Sequence, residues 1–276
     1  MTTVAALLRE AASKLESETP RLDAGLLLGT VLQKNSAWLL AHGDDELSLP
    51  SQVQFLELLE RRIAGEPVAH IIGSRGFWTL DLRVTADTLI PRPETELLVE
   101  IAISKCTSDK KLRILDLGTG TGAVALAIAS ERKNSEVLAV DKSAAALDVA
   151  RENARRNNIA VEFIESDWFT ALAGNHFDLI VSNPPYIPDQ DPHLSQGDVR
   201  FEPLTALASG ADGLDDIRLI IAQAPQYCLP GAWLSIEHGF DQGEAIRALF
   251  SSAGFSHVET AQDLEQRDRV TTGQLL

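Results

Sequence analysis

Over residues 1 to about 65 the apolar positions fall at helical spacing. Val4, Leu7, Leu8, Ala11 and Leu15 mark one face of a first helix, and Pro20 opens a second carrying Leu22, Leu26, Leu27 and Val31. Gly43-Asp44-Asp45 breaks the pattern. Leu49-Pro50-Ser51 then starts a third long helix with Val53, Leu56, Leu59 and Ile63, which Gly65-Glu66-Pro67 ends. These helices carry no clustered chemistry and predict a small bundle over residues 1–67. From Val68 to Ile90 the pattern turns extended, with Phe77–Val84 as the plainest strand, and predicts a β-hairpin linker over residues 68–90.

Residues 91–276 read as a second domain. Pro91-Arg92-Pro93-Glu94-Thr95-Glu96 opens a helix, with Pro93 near its first position and two acids in its first turn. Strands are expected at Leu112–Leu117, Glu136–Asp141, Ile159–Ile164, Phe177–Ser182, Ala232–Glu237 and His257–Thr260. Helices are expected at Ala123–Glu131, Ser143–Asn157, Leu214–Ala224 and Gly243–Ala253. Such alternation means an α/β fold with a parallel, doubly wound sheet. Arg269–Leu275 reads as one last strand, at an antiparallel edge.

Composition narrows the class of function. The chain has 276 residues and a formal net charge of −16, which disfavours general binding to phosphate backbones. Cys106 and Cys228 stand far apart, without metal-ligand spacing, so a disulfide framework is not expected and a reducing cytoplasm fits. No signal-peptide pattern and no membrane-length apolar run is visible, and a cytoplasmic location is expected.

The candidate chemistry lies at the carboxyl ends of the predicted strands. Asp116-Leu117-Gly118-Thr119-Gly120-Thr121-Gly122 runs from strand to helix, its glycines letting backbone pass close to a ligand. In a nicotinamide-binding loop the third glycine would come one residue later. The carboxylate of Asp116, just before the loop, disfavours a pyrophosphate and favours a cationic amino group. Asp141 ends the next strand, where an acid can accept from ribose hydroxyls. After the third, Asp167 can accept from an adenine amine, with Trp168 beside the ring.

After the fourth strand comes Asn183-Pro184-Pro185-Tyr186. The Asn183 amide oxygen and the Pro184 carbonyl are two acceptors, and Tyr186 offers a flat π-face held by a stiff turn. That set suits a planar group bearing –NH₂, a carboxamide or the exocyclic amine of a base. Taken singly, each feature has a structural explanation: a glycine turn, a turn aspartate, an Asn-Pro turn. At four successive strand ends they together fit S-adenosylmethionine beside an amide or amine acceptor.

These residues also carry a family resemblance. Asp116–Gly122 looks like motif I of the class I methyltransferases, and Asn183–Tyr186 resembles the catalytic motif of those that modify amide or amino nitrogen. Ile90–Glu96, Ser166–Phe169, Asp191–Leu194 and Arg200–Leu207 are similar to the release-factor glutamine methyltransferases, the PrmC/HemK family. The resemblance covers nearly the whole chain and weakens over the last dozen residues. It implies a class I (Rossmann-like) S-adenosylmethionine-dependent methyltransferase domain behind a helical bundle and hairpin linker, and methylation of the glutamine amide in the Gly-Gly-Gln loop of class 1 peptide-chain release factors. Carried over by position, Gly118, Thr119, Gly120, Thr121, Gly122, Asp141, Asp167, Trp168 and Asn183 would line the cofactor. Asn183, Pro184, Pro185 and Tyr186 would hold the glutamine, and Asn183, Pro184 and Tyr186 would be catalytic. The helical bundle is the natural second contact for the release factor.

Three rivals compete with that reading. A DNA or RNA amino-methyltransferase would use the same Asn-Pro-Pro-Tyr chemistry, but the acidic charge and lack of a basic recognition segment disfavour it. A non-enzymatic adenosine-ligand sensor would not need Asn183–Tyr186. A nicotinamide dehydrogenase conflicts with the glycine spacing and with Asp116. His238 reads as a polar strand end rather than a base, and His70 and His193 lack partner patterns. Arg92, Glu94 and Glu96 could face the site, although helix-start electrostatics explains the two acids equally well. Phe77 and Trp78 read as core or domain-interface packing. No metal site and no direct nucleic-acid or membrane partner is expected.

Overall fold

The computed structural model describes residues 2–106 and 110–276, and the chain divides into two compact units between Ser74 and Arg75. The first unit is helical: α1 (Val4–Lys14), α2 (Pro20–Leu32), α3 (Ser36–Ala41), α4 (Leu49–Ile63) and α5 (Val68–Ile72). Thr3, Asn35 and Ser48 cap α1, α3 and α4 with side-chain oxygens, the usual way to satisfy otherwise unpaired first-turn N–H groups. Val4, Leu7, Leu27, Leu28, Phe55 and Leu59 meet in one core. The Arg62–Asp23 pair ties α4 to α2 at 2.8 Å, and both side chains are nearly excluded from water.

The stretch expected to be extended from Val68 begins instead with α5. The Pro67 carbonyl accepts from the N–H groups of His70 and Ile71, and Gly73 at φ +73° closes the turn. Five residues rich in β-branched side chains are too few for helical periodicity to show.

The second unit starts with the hairpin β1 (Ser74–Phe77) and β2 (Leu80–Arg83). Phe77–Val84 is therefore not one strand. Trp78 takes a left-handed conformation at φ +55° and turns the chain, and its N–H donates to Glu96 Oε1 at 2.7 Å. Phe77 is buried in the core of this unit, while Trp78 Nε1 donates to Glu131. The hairpin packs within the second unit.

Next come α6 (Glu96–Lys105), β3 (Arg113–Leu117), α7 (Ala123–Glu131), β4 (Glu136–Asp141), α8 (Ala144–Asn157), β5 (Glu162–Glu165) and β6 (Phe177–Ser182). The series ends with α9 (Asp215–Gln223), β7 (Cys228–Glu237), α10 (Gly243–Ser252), β8 (Phe255–Gln262) and β9 (Asp268–Leu275). Seven strands form one sheet in the order β5-β4-β3-β6-β7-β9-β8, and the first five are parallel. β9 is antiparallel as expected, but it is not the edge. It lies between β7 and β8, leaving β8 outermost, because β8 and β9 form a hairpin whose second arm returns to pair with β7. The burial of Val270–Gly273 against the alternating exposure of β8 reflects those positions.

Alternate residues of each central strand feed two cores. Ile114, Leu179 and Val181 face α6 and α7, whereas Leu115, Leu117, Ile180, Leu234 and Ile236 face α9 and α10. The chain leaves β3 towards β4 on one side and returns with β6 on the other. The carboxyl ends of β3 and β6 thus flank the point where strand order reverses, the place where open α/β sheets bind ligands. No described helix is long and apolar enough to cross a membrane.

Candidate active site

A cavity of about 290 Å³ opens at that point. Asp116, Gly118, Thr119, Gly120, Thr121, Asp141, Asp167, Trp168, Asn183 and Pro185 line it, so the ends of four neighbouring strands converge there. The far wall comes from the 86–95 segment, including Arg92 and Thr95, and from Pro203, Thr205 and Ala206. Gly122, Pro184 and Tyr186 are not on the cavity wall. Gly122 caps α7, and a Cβ there would meet Ala150 Cβ at 3.2 Å, so it serves helix packing. Pro184 is buried and Tyr186 half-buried behind Pro185.

The glycine loop is shaped by what it must approach. Gly118 at φ +73° leaves 3.2 Å between its missing Cβ and Trp168, so any side chain would push the indole out of the cavity wall. Trp168, itself at φ +48°, is anchored by Nε1 donating to Asp216 Oδ1 at 3.1 Å. Asp141 accepts from the N–H of Gly120 through Oδ2 and from that of Ser143 through Oδ1, both at 2.9 Å. Each carboxylate oxygen retains an unused lone pair, enough for a diol.

Asp116 is 1% exposed and accepts from Thr119 Oγ1 at 2.6 Å. Burial drives its carboxyl up to about 7, against the opposing pull of the Thr119 hydroxyl. A buried acid whose charged form is disfavoured by its surroundings gains from a cationic ligand group. The glycine cradle, the diol acceptor, the aromatic wall and this acid together fit S-adenosylmethionine.

Asn183 follows β6, and its Nδ2 donates to Thr95 Oγ1 at 3.2 Å. With the –NH₂ end so engaged, the amide oxygen is left as an acceptor. The Tyr186 carbonyl accepts from Gln242 Nε2 at 3.0 Å, and its hydroxyl donates to Glu237 Oε1 at 3.3 Å. Burial, more than the nearby Glu237, raises the Tyr186 hydroxyl pKa and keeps it neutral. Glu202 clamps the far wall: it accepts from the Ile90 N–H at 2.8 Å and pairs with Arg92.

Several supports escaped the sequence reading. Asn153 is fully buried on α8. It accepts from Arg83 N–H at 2.7 Å and donates to the carbonyls of Arg83 at 3.0 Å and Thr121 at 2.9 Å, joining the hairpin to the glycine loop. Asn153→Ala is expected to lower stability by roughly 2–4 kcal/mol, because one buried and two part-buried backbone groups lose their partner. Chemical denaturation reads that loss, and a cofactor titration should show several-fold weaker binding. Thr95, Glu202, Glu237 and Gln242 were likewise unassigned, for their side-chain partners lie 30 residues or more away, except within the 239–242 turn.

His238 is a buried strand end, with Nδ1 bonded to the Gly239 carbonyl and Nε2 to the Thr271 hydroxyl, each at 2.8 Å. Burial lowers its pKa and keeps it neutral. Glu96 turns to the hairpin, while Arg92 reaches the cavity. His193 is exposed and paired with Asp191. Among the described residues, no group of three or more His, Cys, Asp or Glu could hold a metal ion.

Residues 6–73 match the PrmC N-terminal domain and residues 93–198 the Methyltransferase small domain. The release factor glutamine methyltransferase of Xylella fastidiosa (strain 9a5c) is 54% identical over 97% of this chain and 96% of that protein. The one from Escherichia coli (strain K12) is 51% identical over 96% of each. The fold is also that of a T. thermophilus 16S rRNA N2 G1207 methyltransferase in complex with AdoMet and guanosine. That structure is 20% identical at a TM-score of 0.53, covering 74% of this chain and 50% of that one. With half its residues shared along almost the entire length of these relatives, the chain belongs to the release factor glutamine methyltransferase family.

Proposed function

We propose that this protein methylates the side-chain amide nitrogen of the glutamine in the Gly-Gly-Gln loop of class 1 peptide-chain release factors, in the cytoplasm, using S-adenosylmethionine. The observation that carries this reading is the near-full-length identity to relatives of that name. The acceptor geometry after β6 supports it independently. S-adenosylmethionine supplies an electrophilic methyl group on a sulfonium.

The chain's own residues hold and activate the nucleophile. An amide nitrogen is a poor one because its lone pair is delocalised into the carbonyl. Asn183 Oδ1 and the Pro184 carbonyl accept the two amide hydrogens and stabilise the positive charge that grows on nitrogen. Tyr186, held by Glu237 and Gln242, stiffens the turn that carries both acceptors, so much of the acceleration is positioning. Transfer of that methyl would join carbon to nitrogen and leave the sulfur as a neutral thioether, and the nitrogen would release one proton to water. No strong base is needed. Gly118, Thr119, Gly120 and Thr121 would pass backbone under the cofactor, Asp141 would accept from its ribose, Asp116 would meet its amino group, and Asp167 and Trp168 would hold the adenine.

The test is transfer of labelled methyl from S-adenosylmethionine to a purified class 1 release factor, beside a variant whose loop glutamine is alanine. Label on the wild-type factor alone is expected. Label on both places the acceptor elsewhere. Label on nucleic acid instead would overturn the protein-substrate reading.

A further inference from the structure

Glu237 ends β7 on the face of the sheet covered by α6, beside the end of β6 that carries the Asn183 turn. It is 1% exposed and does not reach the cavity. Oε1 accepts from the Tyr186 hydroxyl, and the buried Oε2 makes no hydrogen bond of standard geometry. The nearby Arg269 does not bond to it: that guanidinium is held by Asp263 at 3.1 and 3.2 Å and by the His238 carbonyl. The Thr95 hydroxyl, also buried, acts on the Glu237 carboxyl and favours its charged form. The same hydroxyl accepts from Asn183 Nδ2.

Hydrogen-bond polarity then runs in one direction. A carboxylate only accepts, and a hydroxyl has a single hydrogen to give. With Glu237 charged, the Thr95 hydroxyl turns its one hydrogen towards the carboxylate, and Thr95 must then accept from Asn183. The Asn183 amide therefore turns its –NH₂ inwards and its oxygen to the substrate. With Glu237 neutral, Oε2–H can donate to Thr95, and Thr95 to a flipped Asn183. The flipped amide presents –NH₂ to the substrate –NH₂, donors against donors.

We propose that Glu237, acting through Thr95, sets the orientation of the Asn183 side-chain amide and is a positioning residue for the glutamine nitrogen. The proposal rests on the function given above and names a residue that acts behind the substrate contacts. Its signature is a pH dependence of turnover. The charged or titratable groups facing Glu237 are Tyr186 from the turn after β6, Arg269 from β9 and Glu94 from the turn before α6. Burial outweighs the rest and puts the carboxyl at about 7, so turnover should fall as pH drops below neutrality.

The experiment measures kcat at saturating S-adenosylmethionine between pH 5.5 and 8.5 for the wild type, Glu237→Gln, Thr95→Val and Thr95→Ser, each checked for a native thermal transition. Wild type and Thr95→Ser should lose about tenfold per pH unit below 7. Glu237→Gln and Thr95→Val should be about 10- to 100-fold slower above pH 7 and flat in pH, as expected when one acceptor is mis-set. Cofactor KM should stay within about threefold at pH 8 for Glu237→Gln, since Glu237 lies outside the cavity wall. An unchanged kcat and acid limb in Glu237→Gln, or an acid limb surviving in Thr95→Val, overturns the relay. The Asn183 side-chain amide followed by ¹⁵N NMR in the cofactor-bound enzyme gives a readout that needs no release factor. Its resonances should titrate near neutrality in the wild type and not in Glu237→Gln. A pH-independent pair would sink the relay even if release-factor methylation is confirmed, whereas a titrating pair without methyl transfer would keep the relay and reject only the substrate.

Discussion

Asn183→Ala should reduce kcat for methyl transfer by about 10²–10³-fold while changing S-adenosylmethionine affinity by less than about threefold, the range seen when one preorganised partner of a developing charge is deleted. The asymmetry follows from the position of the residue. Asn183 is one wall residue among many on the cofactor side, where the glycine loop, Asp116, Asp141 and Trp168 remain intact. On the acceptor side it would supply one of the two oxygens proposed to take the amide hydrogens. Deleting it leaves the growing charge on nitrogen with half its stabilisation and lets the amide rotate. The Thr95 hydroxyl would also lose the –NH₂ donor that now reaches it at 3.2 Å. Single-turnover rates, with affinity from a direct titration, separate the two effects. Equal losses in both would show that Asn183 shapes the cofactor site and not the nucleophile.

Much of this was legible in the chain. Ala123–Glu131 and Glu136–Asp141 fall where apolar spacing put them, because both are bounded by residues with one local meaning: glycine before the helix, a carboxylate after the strand. The strand-end residues were legible for the same reason, since a loop that follows a buried strand must emerge at one edge of the sheet. What could not be read was anything set by distant partners. Trp78 breaks a stretch of good β-formers because Glu96 takes its N–H, and β9 leaves the edge because β8 pairs with its outer side. Asn153, Glu202 and Glu237 look like surface residues until folding removes their solvent. A polar residue amid a strand or helix pattern carries no local sign of what it will meet, whereas a Gly-x-Gly-x-Gly loop does.

Affinity for S-adenosylmethionine should fall by about eight- to tenfold between pH 7.5 and pH 6, and the loss should vanish in Asp116→Asn. The sign follows from the folded-state pKa. Asp116 is raised to about 7 by burial, above the ordinary value near 3.8 that it has when exposed. Between those two pH values the folded protein holds a proton that the unfolded chain does not. Folding stability therefore declines as pH rises through that window, and the full cost of the buried charge is present only above about 7. A ligand carrying an ammonium group selects the charged form. Binding above pH 7 meets a carboxylate already ionised, while binding below it must first release the proton, which lowers affinity tenfold per unit. Asp141 is the nearby acid that pushes Asp116 upwards, so a ligand whose hydroxyls engage Asp141 leaves the trend intact. Calorimetry in two buffers of different ionisation enthalpy counts the proton directly: close to one released at pH 6, close to none at pH 8. Asp116→Asn should bind more weakly at pH 8, with no proton released at either pH. If the wild type binds equally well at both pH values, the amino group is not held by Asp116 and must be sought elsewhere along the cavity wall.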